Sequence, residues 1–566
     1  MRPATTNRRL TRRLALLLPL LATLCAATES VPLPSGMVVS DHWLASEAGR
    51  DVLAAGGNAV DAAIATGFAL AVTHPSAGNI GGGGFMIIRF PNGTATAIDF
   101  RETAPMAAHA DMWLDDDGEY SRQIHHYSHK AVGVPGTVAG FDKAHRLYGV
   151  TQWPALLAPA IDLAEEGFSL SERLANSLAA FVGRFAHYPA TVAQFSRDGL
   201  PLAMGDTLRQ PDLGGSLRRI QAGRRDGFYR GPTAQLLVAE MTRGGGLLQM
   251  VDLERYEARE RTPIRGSYHG YEIIGMPPPS SGGVAVVTML NILAGYDLAA
   301  MGHNTPGYIH HLAEAMRRAF RDRARWLADT DVVDVPLHML TSQEHAAHLR
   351  RDLDSGSASV SVPGDLTQPY ESPETTHFSV VDSDGMAVAV TYTLEAAYGS
   401  GIVVPGAGFL LNNEMGDFNA VPGHTDEFGL IGTEPNLARP SQRMLSSMSP
   451  TILAKDGHLI AVTGSPGGRT IINTVLQVLL NLIDFDMDIE AAVAAARVHH
   501  QWLPDRIRLE ADRFDNSTVA ALQDMGHTVQ AAGRQGLAHS IGIDPDTGAR
   551  VGAADPRNAD AGARGD

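Results

Sequence analysis

The chain has 566 residues, of which 44% are hydrophobic and 19% charged, and a formal charge of −17 at pH 7. This composition belongs to a globular protein long enough for one very large core or two to three ordinary ones, and it excludes a disordered chain. The acidic balance argues against nucleic acid and against an anionic membrane surface as partners.

The first element reads as an export signal. Arg2, Arg8, Arg9, Arg12 and Arg13 form a positive n-region, residues 14–24 are apolar but too few to span a bilayer, and Cys25-Ala26-Ala27 supplies small residues for cleavage. Residues 1–27 are therefore expected to be removed, with the mature chain beginning near Thr28. The Arg12-Arg13 pair could belong to a twin-arginine signal, but a plain Sec signal with scattered arginines is the simpler reading, and the bulky Leu24 argues against lipoprotein processing at Cys25. Cleavage removes five arginines, taking the charge from −17 to −22, and removes the only cysteine. The mature protein, periplasmic or secreted, would have no disulfide and would be held by its core. No later run is long and apolar enough to cross a bilayer, so no membrane association is expected after signal removal.

In chain order, a helix around residues 51–55 ends at Gly56-Gly57. Asn58 caps a second helix with Asp61 at its third position, and His74-Pro75 stops it. Residues 134–327 read as helix-rich, with amphipathic stretches at 154–166 and 308–327. Residues 354–374 have the Ser, Pro, Gly and acid content of a linker or exposed loop. Strands follow at 378–381, 386–393 and 409–411, and at 450–453 and 459–463 around an Asp456-Gly457 turn, before a last helix at 470–482.

The hairpin carries the chemistry. If Ser383-Asp384-Gly385 is a three-residue loop with Gly385 left-handed, Asp382 pairs with Met386 and Thr375 lies opposite Thr393. A two-residue Asp-Gly turn would place Leu394 there instead, because a one-residue slip turns every side chain to the other face. A threonine hydroxyl is a weak nucleophile without an adjacent base. A chain beginning at threonine supplies one in its own α-amine, whose ordinary pKa is about 7.7–8.0. Here that requires a cut between Glu374 and Thr375, within the exposed composition of residues 354–374. The bland alternative is a set of strand threonines chosen for β propensity.

Other stretches add to the first reading. Residues 412–418 place amides and carboxylates, including Glu414 and Asp417, after a short strand, Ser446-Ser447 supplies two hydroxyls, and Gly467-Gly468 before a helix could form an oxyanion hole. Arg101 stands at a strand end, where it could hold a carboxylate by two parallel hydrogen bonds.

As a set, residues 55–63, 81–86, Arg101-Glu102, Thr375-Thr376-His377, 446–450 and 464–468 resemble the bacterial γ-glutamyltransferases (γ-glutamyltranspeptidases), members of the N-terminal nucleophile hydrolase superfamily. The resemblance runs over about residues 36–555. It implies an α+β fold, a four-layer αββα sandwich in one large domain, made as a precursor that cuts itself between Glu374 and Thr375. The products would be a large subunit (28–374) and a small catalytic subunit (375–566) that stay together as a heterodimer. Carried onto this chain, Thr375 would attack its upstream peptide bond and later the substrate γ-carbonyl. Thr393 would orient it, and Gly467 and Gly468 would hold the oxyanion. Arg101, Ser446 and Ser447 would take the α-carboxylate of the γ-glutamyl group, Asp417 and Glu395 its α-amine, and Glu414 belongs to the same substrate-binding set. Many relatives have asparagine where Glu395 stands. Residues 422–432 correspond to a lid loop, with Phe428 where a gating tyrosine is common. The expected substrates are γ-glutamyl amides such as glutathione, with water or an amino acid or peptide as acceptor, and no cofactor.

Several motifs are decoys. Gly81 to Gly84 lacks the Gly-Lys-Ser/Thr of a phosphate loop and reads as tight backbone packing. Residues 344–348 lack the first histidine of a zinc-protease helix, and His125, His126 and His129 have no carboxylate in register, so no metal is expected. The chain contains no Gly-x-Ser-x-Gly, which argues against an α/β-hydrolase. The sequons at Asn92 and Asn516 are explained by chance. Two other functions remain: a cephalosporin or glutaryl-type acylase of the same fold, whose glutaryl group would lack the α-amine, and an unprocessed, non-catalytic exported binding protein.

Overall fold

The structure, a computed structural model, describes residues 35–362, 375–424, 426–428 and 431–566. The signal segment and Glu374 lie outside the described residues. Thirteen strands build the two main sheets. Those before the 354–374 stretch are β1 (Met37–Ser40), β2 (Gly83–Arg89), β3 (Ala95–Phe100), β4 (Arg259–Arg261), β5 (Ile264–Tyr268) and β6 (Tyr271–Gly275). Those after it are β7 (Thr376–Val381), β8 (Ala387–Thr393), β9 (Thr451–Lys455), β10 (His458–Thr463), β11 (Ser540–Ile543), β12 (Arg550–Ala553) and β13 (Gly562–Gly565). The first sheet runs β13-β1-β7-β8-β2-β3-β4 and the second β12-β11-β10-β9-β6-β5. β7 and β8 thus lie inside the first sheet, which is why both read as nearly continuous apolar and threonine runs.

Alternation along the strands sends one set of side chains into a dry layer between the sheets and the other towards helices. Phe85, Ile87, Ala389, Ile274, Ile452, Val462 and Ile541 fill the layer between the sheets. On the outer face of the first sheet, Met86, Ile88, Phe378, Val388 and Val390 pack with α1 (Trp43–Ala54), α2 (Ala59–Thr73), α3 (Thr137–Tyr148) and α4 (Trp153–Glu166). On the outer face of the second, Ile273, Leu453 and Ala461 pack with α5 (Gly282–Leu293), α6 (Pro306–Trp326) and α7 (Thr470–Ile483). This is the expected αββα sandwich in one large domain.

The expected boundaries hold where a cap defines them. Asn58 Oδ1 accepts the amides of Val60 and Asp61 while the Asp61 carboxylate accepts the Asn58 amide, and α2 ends at His74. Three expectations change. Residues 409–411 form no strand; Leu410 makes only an isolated bridge to Val403, because the segment turns back on itself through the left-handed glycines Gly406 and Gly408. The region 134–327 contains β4–β6, whose hairpin turns at left-handed His269-Gly270. Two helices follow the expected last one, Ile489–Ala494 and Asn516–Asp524, capped by Asp488 and Asp515.

The β7–β8 register settles the turn. Thr376 pairs with Tyr392 and Val381 with Ala387, the Asp382 amide donates to the Met386 carbonyl at 3.1 Å, and Gly385 has φ +83°. This is the three-residue loop, and its register continues to Thr375 opposite Thr393. A Cβ on Gly385 would meet nothing within 4 Å, so Gly385→Ala isolates the backbone cost of a left-handed residue. We expect a loss of about 1–2 kcal/mol, read as a lower urea midpoint at unchanged slope; an unchanged midpoint would show that the loop tolerates another conformation.

Candidate active site

Antiparallel pairing gathers the functional ends of several strands on one edge. The start of β7, the end of β8, the start of β2 and the end of β3 are successive neighbours, through the pairs Thr376↔Tyr392, Thr393↔Gly83 and Gly84↔Phe100. In the second sheet the start of β9 and the end of β10 pair as Thr451↔Thr463, placing the 446–450 and 464–468 segments side by side. Close packing fixes this edge: a Cβ on Gly82 would overlap the Thr393 carbonyl, and Asn79 donates to that carbonyl at 2.8 Å while accepting the Gly82 amide at 2.9 Å.

One small cavity of about 20 Å³ is lined by Arg101, Thr375, Thr393, Glu395, Glu414, Asp417, Ser446, Ser447 and Gly468. A second cavity of about 540 Å³ is lined by Thr375, Gly467 and Phe428 among others. Thr375 is the residue that both cavities share. The sequence-predicted residues are therefore brought together, except that Gly467 and Phe428 face the larger cavity. Phe428 is 78% exposed there.

The inner cavity is nearly filled because its charges close on one another. The Arg101 guanidinium pairs with Glu414 through Nη1 and Asp417 through Nη2, and all three side chains are buried. Glu102 lies 3.8 Å from the same guanidinium with neither carboxylate oxygen hydrogen-bonded. Burial, reinforced by the nearby carboxylates Asp417 and Asp99 and only partly offset by Arg101, pushes Glu102 up to about 8. Burial pushes Glu414 upward as well, against the pull of Arg101. The carboxylates hold the Arg101 guanidinium firmly protonated, well above its ordinary range, although its burial acts the other way.

Around this pair, Asn413 donates to Glu395, whose other oxygen lies 3.6 Å from His126. The Glu395 amide donates to Thr393 Oγ1 at 3.0 Å. Arg323, on the buried face of α6, donates to Ser447 Oγ at 3.0 Å and to Ser281 Oγ at 2.9 Å. Gly467 and Gly468 both have positive φ, and neither amide donates a hydrogen bond among the described residues. Beneath Thr375, buried Asp41 accepts from the Thr376 hydroxyl at 2.5 Å, faces His539 Nε2 at 2.9 Å and accepts from Asn558 Nδ2 at 2.9 Å. His539 and the Thr376 hydroxyl hold the Asp41 carboxyl well below the usual range despite its complete burial.

Sequence reasoning missed Asp41, Arg323, His126 and His539 as site neighbours. The available signal for Arg323 was a guanidinium on the core-facing stripe of an amphipathic helix. The described residues also group His310, Glu314 and His527, but Glu314 is held by Arg317, Arg318 and Ser359, and two guanidiniums oppose a cation there.

Between its ordinary value of 4.5 and about 8, Glu102 keeps a proton in the folded state that the unfolded chain has lost, so its contribution to stability falls as pH rises through that window. Glu102→Gln should be close to neutral at pH 4.5 and stabilising by about 1–2 kcal/mol at pH 8.5, measured by denaturant unfolding. The same difference at both pH values would contradict the protonated assignment.

Comparison with known proteins bears on the site. The Gamma-glutamyltranspeptidase family profile matches residues 45–565. The chain is 47% identical over 529 residues to the glutathione hydrolase proenzyme of Escherichia coli strain K12, covering 93% of this chain and 91% of that protein. Among solved structures it resembles a cephalosporin acylase from Bacillus halodurans (TM-score 0.83, 28% identity, 97% of this chain and 99% of that one). It also resembles the gamma-glutamyltranspeptidase of Helicobacter pylori (TM-score 0.56, 41% identity, 58% of this chain and 94% of that one).

Proposed function

The chain belongs to the gamma-glutamyltranspeptidase family and is an enzyme; from that premise we propose that it is a self-processing γ-glutamyltransferase whose nucleophile is Thr375. The observation that carries this reading is the position of Thr375 at the junction of a charged inner pocket and an open outer cavity, beside two glycine amides. Cleavage between Glu374 and Thr375 yields subunits 28–374 and 375–566 and gives Thr375 an α-amine. That amine takes the Oγ proton as Oγ bonds to the γ-carbonyl carbon of a donor such as glutathione. Negative charge moves to the carbonyl oxygen, where the Gly467 and Gly468 N–H groups stabilise it. The C–N bond then breaks, the departing amine takes the proton, and a γ-glutamyl ester remains on Thr375. Water or the amine of an amino acid or peptide attacks that ester and frees the threonine.

The inner pocket suits a zwitterion. The γ-glutamyl α-carboxylate replaces Glu414 and Asp417 on Arg101, with Ser446 and Ser447 as further donors, and the α-ammonium takes Asp417, Glu395 and Glu414. The pocket gains no net charge. A glutaryl group, as in an acylase substrate, would add a carboxylate without an ammonium beside Glu102, Glu395, Glu414 and Asp417, which is the costlier arrangement. The signal segment supports a periplasmic or secreted location, and no helix among the described residues is long and apolar enough to cross a membrane.

Thr375→Ala should remain one chain by intact mass and release glutamate from glutathione at least about a thousandfold more slowly than wild type. Thr375→Ser should still be cut. A Thr375→Ala protein that is both cleaved and active would overturn the assignment.

A further inference from the structure

The outer cavity carries a charge opposite to that of the protein around it. Five arginines line it, Arg173, Arg469, Arg506, Arg508 and Arg534, and among the described residues no aspartate or glutamate does, in a chain of net charge −17. One wall is a small separate sheet in which His499 pairs with Arg508, on the strand Ile507–Glu510, and that strand runs parallel to Val529–Ala532, just before Arg534. Arg173 lies 3.9 Å from Asp560. Arg506 and Arg534 are exposed and have no carboxylate partner among the described residues. The two histidines of the lining, His74 and His499, are both held neutral near neutral pH, their values pressed down to about 3 chiefly by burial. The positive charge of the lining side chains is therefore that of the guanidiniums and does not titrate across the neutral range.

Thr375 fixes what this cavity meets. The γ-glutamyl head occupies the inner pocket and the scissile carbonyl sits at Thr375, so the part of the donor beyond the amide nitrogen leaves through the larger cavity. At about 540 Å³ it lies within the range of small-ligand sites. We propose, building on the γ-glutamyltransferase reading above, that this cavity is a leaving-group and acceptor site selective for acidic peptides carrying two or more carboxylates, with Arg506 and Arg534 as specificity-determining residues. Because the departing amine and the attacking amine use the same face of the acyl-threonine, the preference applies to acceptors as well as donors. The guanidinium lining concentrates anions locally against the repulsion of an acidic protein, so the preference must weaken with salt.

The test compares three donors on the mature enzyme: γ-glutamyl-glycyl-glycinamide, γ-glutamyl-glycyl-glycine and γ-glutamyl-aspartyl-aspartate, whose leaving groups carry no carboxylate, one and three. In wild type, kcat/KM should rise along this series, and the ratio of last to first should fall severalfold between about 0.02 M and about 0.3 M salt. In the double variant Arg506→Ala/Arg534→Ala that ratio should fall roughly tenfold, whereas Arg506→Lys/Arg534→Lys should keep most of it, because charge rather than shape is being read. Both side chains are exposed, so neither variant threatens the fold. A wild-type ratio near one, or a ratio that the alanine pair leaves unchanged, overturns the acidic-peptide site while leaving the γ-glutamyltransferase reading standing. Failure of the wild type to release glutamate from all three donors overturns that reading, and the site falls with it.

Discussion

The proposed nucleophile has to be the first residue of a chain and yet be held rigidly, a demand that the start of a strand inside a sheet can meet, and the register of β7 against β8 gives Thr375 such a position. Left-handed Gly385 closes the three-residue loop, the pairing Asp382↔Met386 follows, and the ladder delivers Thr375 opposite Thr393. Shifted by one residue, every side chain of β7 would change face. The layer between the sheets and the layer under α2 would then be filled by the wrong halves of the strand. Core packing and the placement of Thr375 are thus one constraint: Phe378 and Val380 anchor the outward face in the helical layer, and Val381 the inward one.

The second organising feature is a shortage of positive charge in the inner pocket. A single guanidinium faces Glu102, Glu414 and Asp417, with Glu395 on the same wall, all buried. Such a cluster is stable only if part of it is protonated, and burial pushes both Glu102 and Glu414 toward the protonated form. A zwitterion would resolve the imbalance without adding charge, which is why the proposed γ-glutamyl head matches the pocket. Outside it the sign reverses, and the arginine-lined cavity begins where the scissile bond would lie. Thr375 stands on the boundary between the two fields.

Much of this was legible in the sequence because it rests on local rules. The Asn58–Asp61 capping box, the Gly385 loop and the strand ends at Arg101 and Thr393 are each set by a few neighbouring residues. The meeting of four strand ends of the first sheet with two of the second was not legible, since no local rule ties Ser446 to Arg101. Residues 409–411 looked like a strand because they are apolar, but Gly406 and Gly408 bend the chain so that this short segment is buried without pairing in a ladder. β4–β6 were absorbed into a helical stretch because charged Arg259, Arg261 and Arg265 mask the strand pattern on an edge. Asp41, Arg323 and His539 come from distant segments, and only the folded chain pairs Asp41 with Thr376 and His539, and Arg323 with Ser447. The arginine lining is spread over Arg173 and residues 469–534, so composition shows only the acidic total.

The central claim is that the acyl group passes through the hydroxyl of Thr375 once this residue begins a chain. The direct measurement is to mix the mature enzyme with excess donor, quench it in acid within a single turnover, and map the small chain by mass. The account predicts a fraction of that chain heavier by one γ-glutamyl residue, with the added mass confined to the N-terminal peptide and located on Thr375. Added mass on any other residue, or turnover with no adduct under conditions that trap esters, would contradict it.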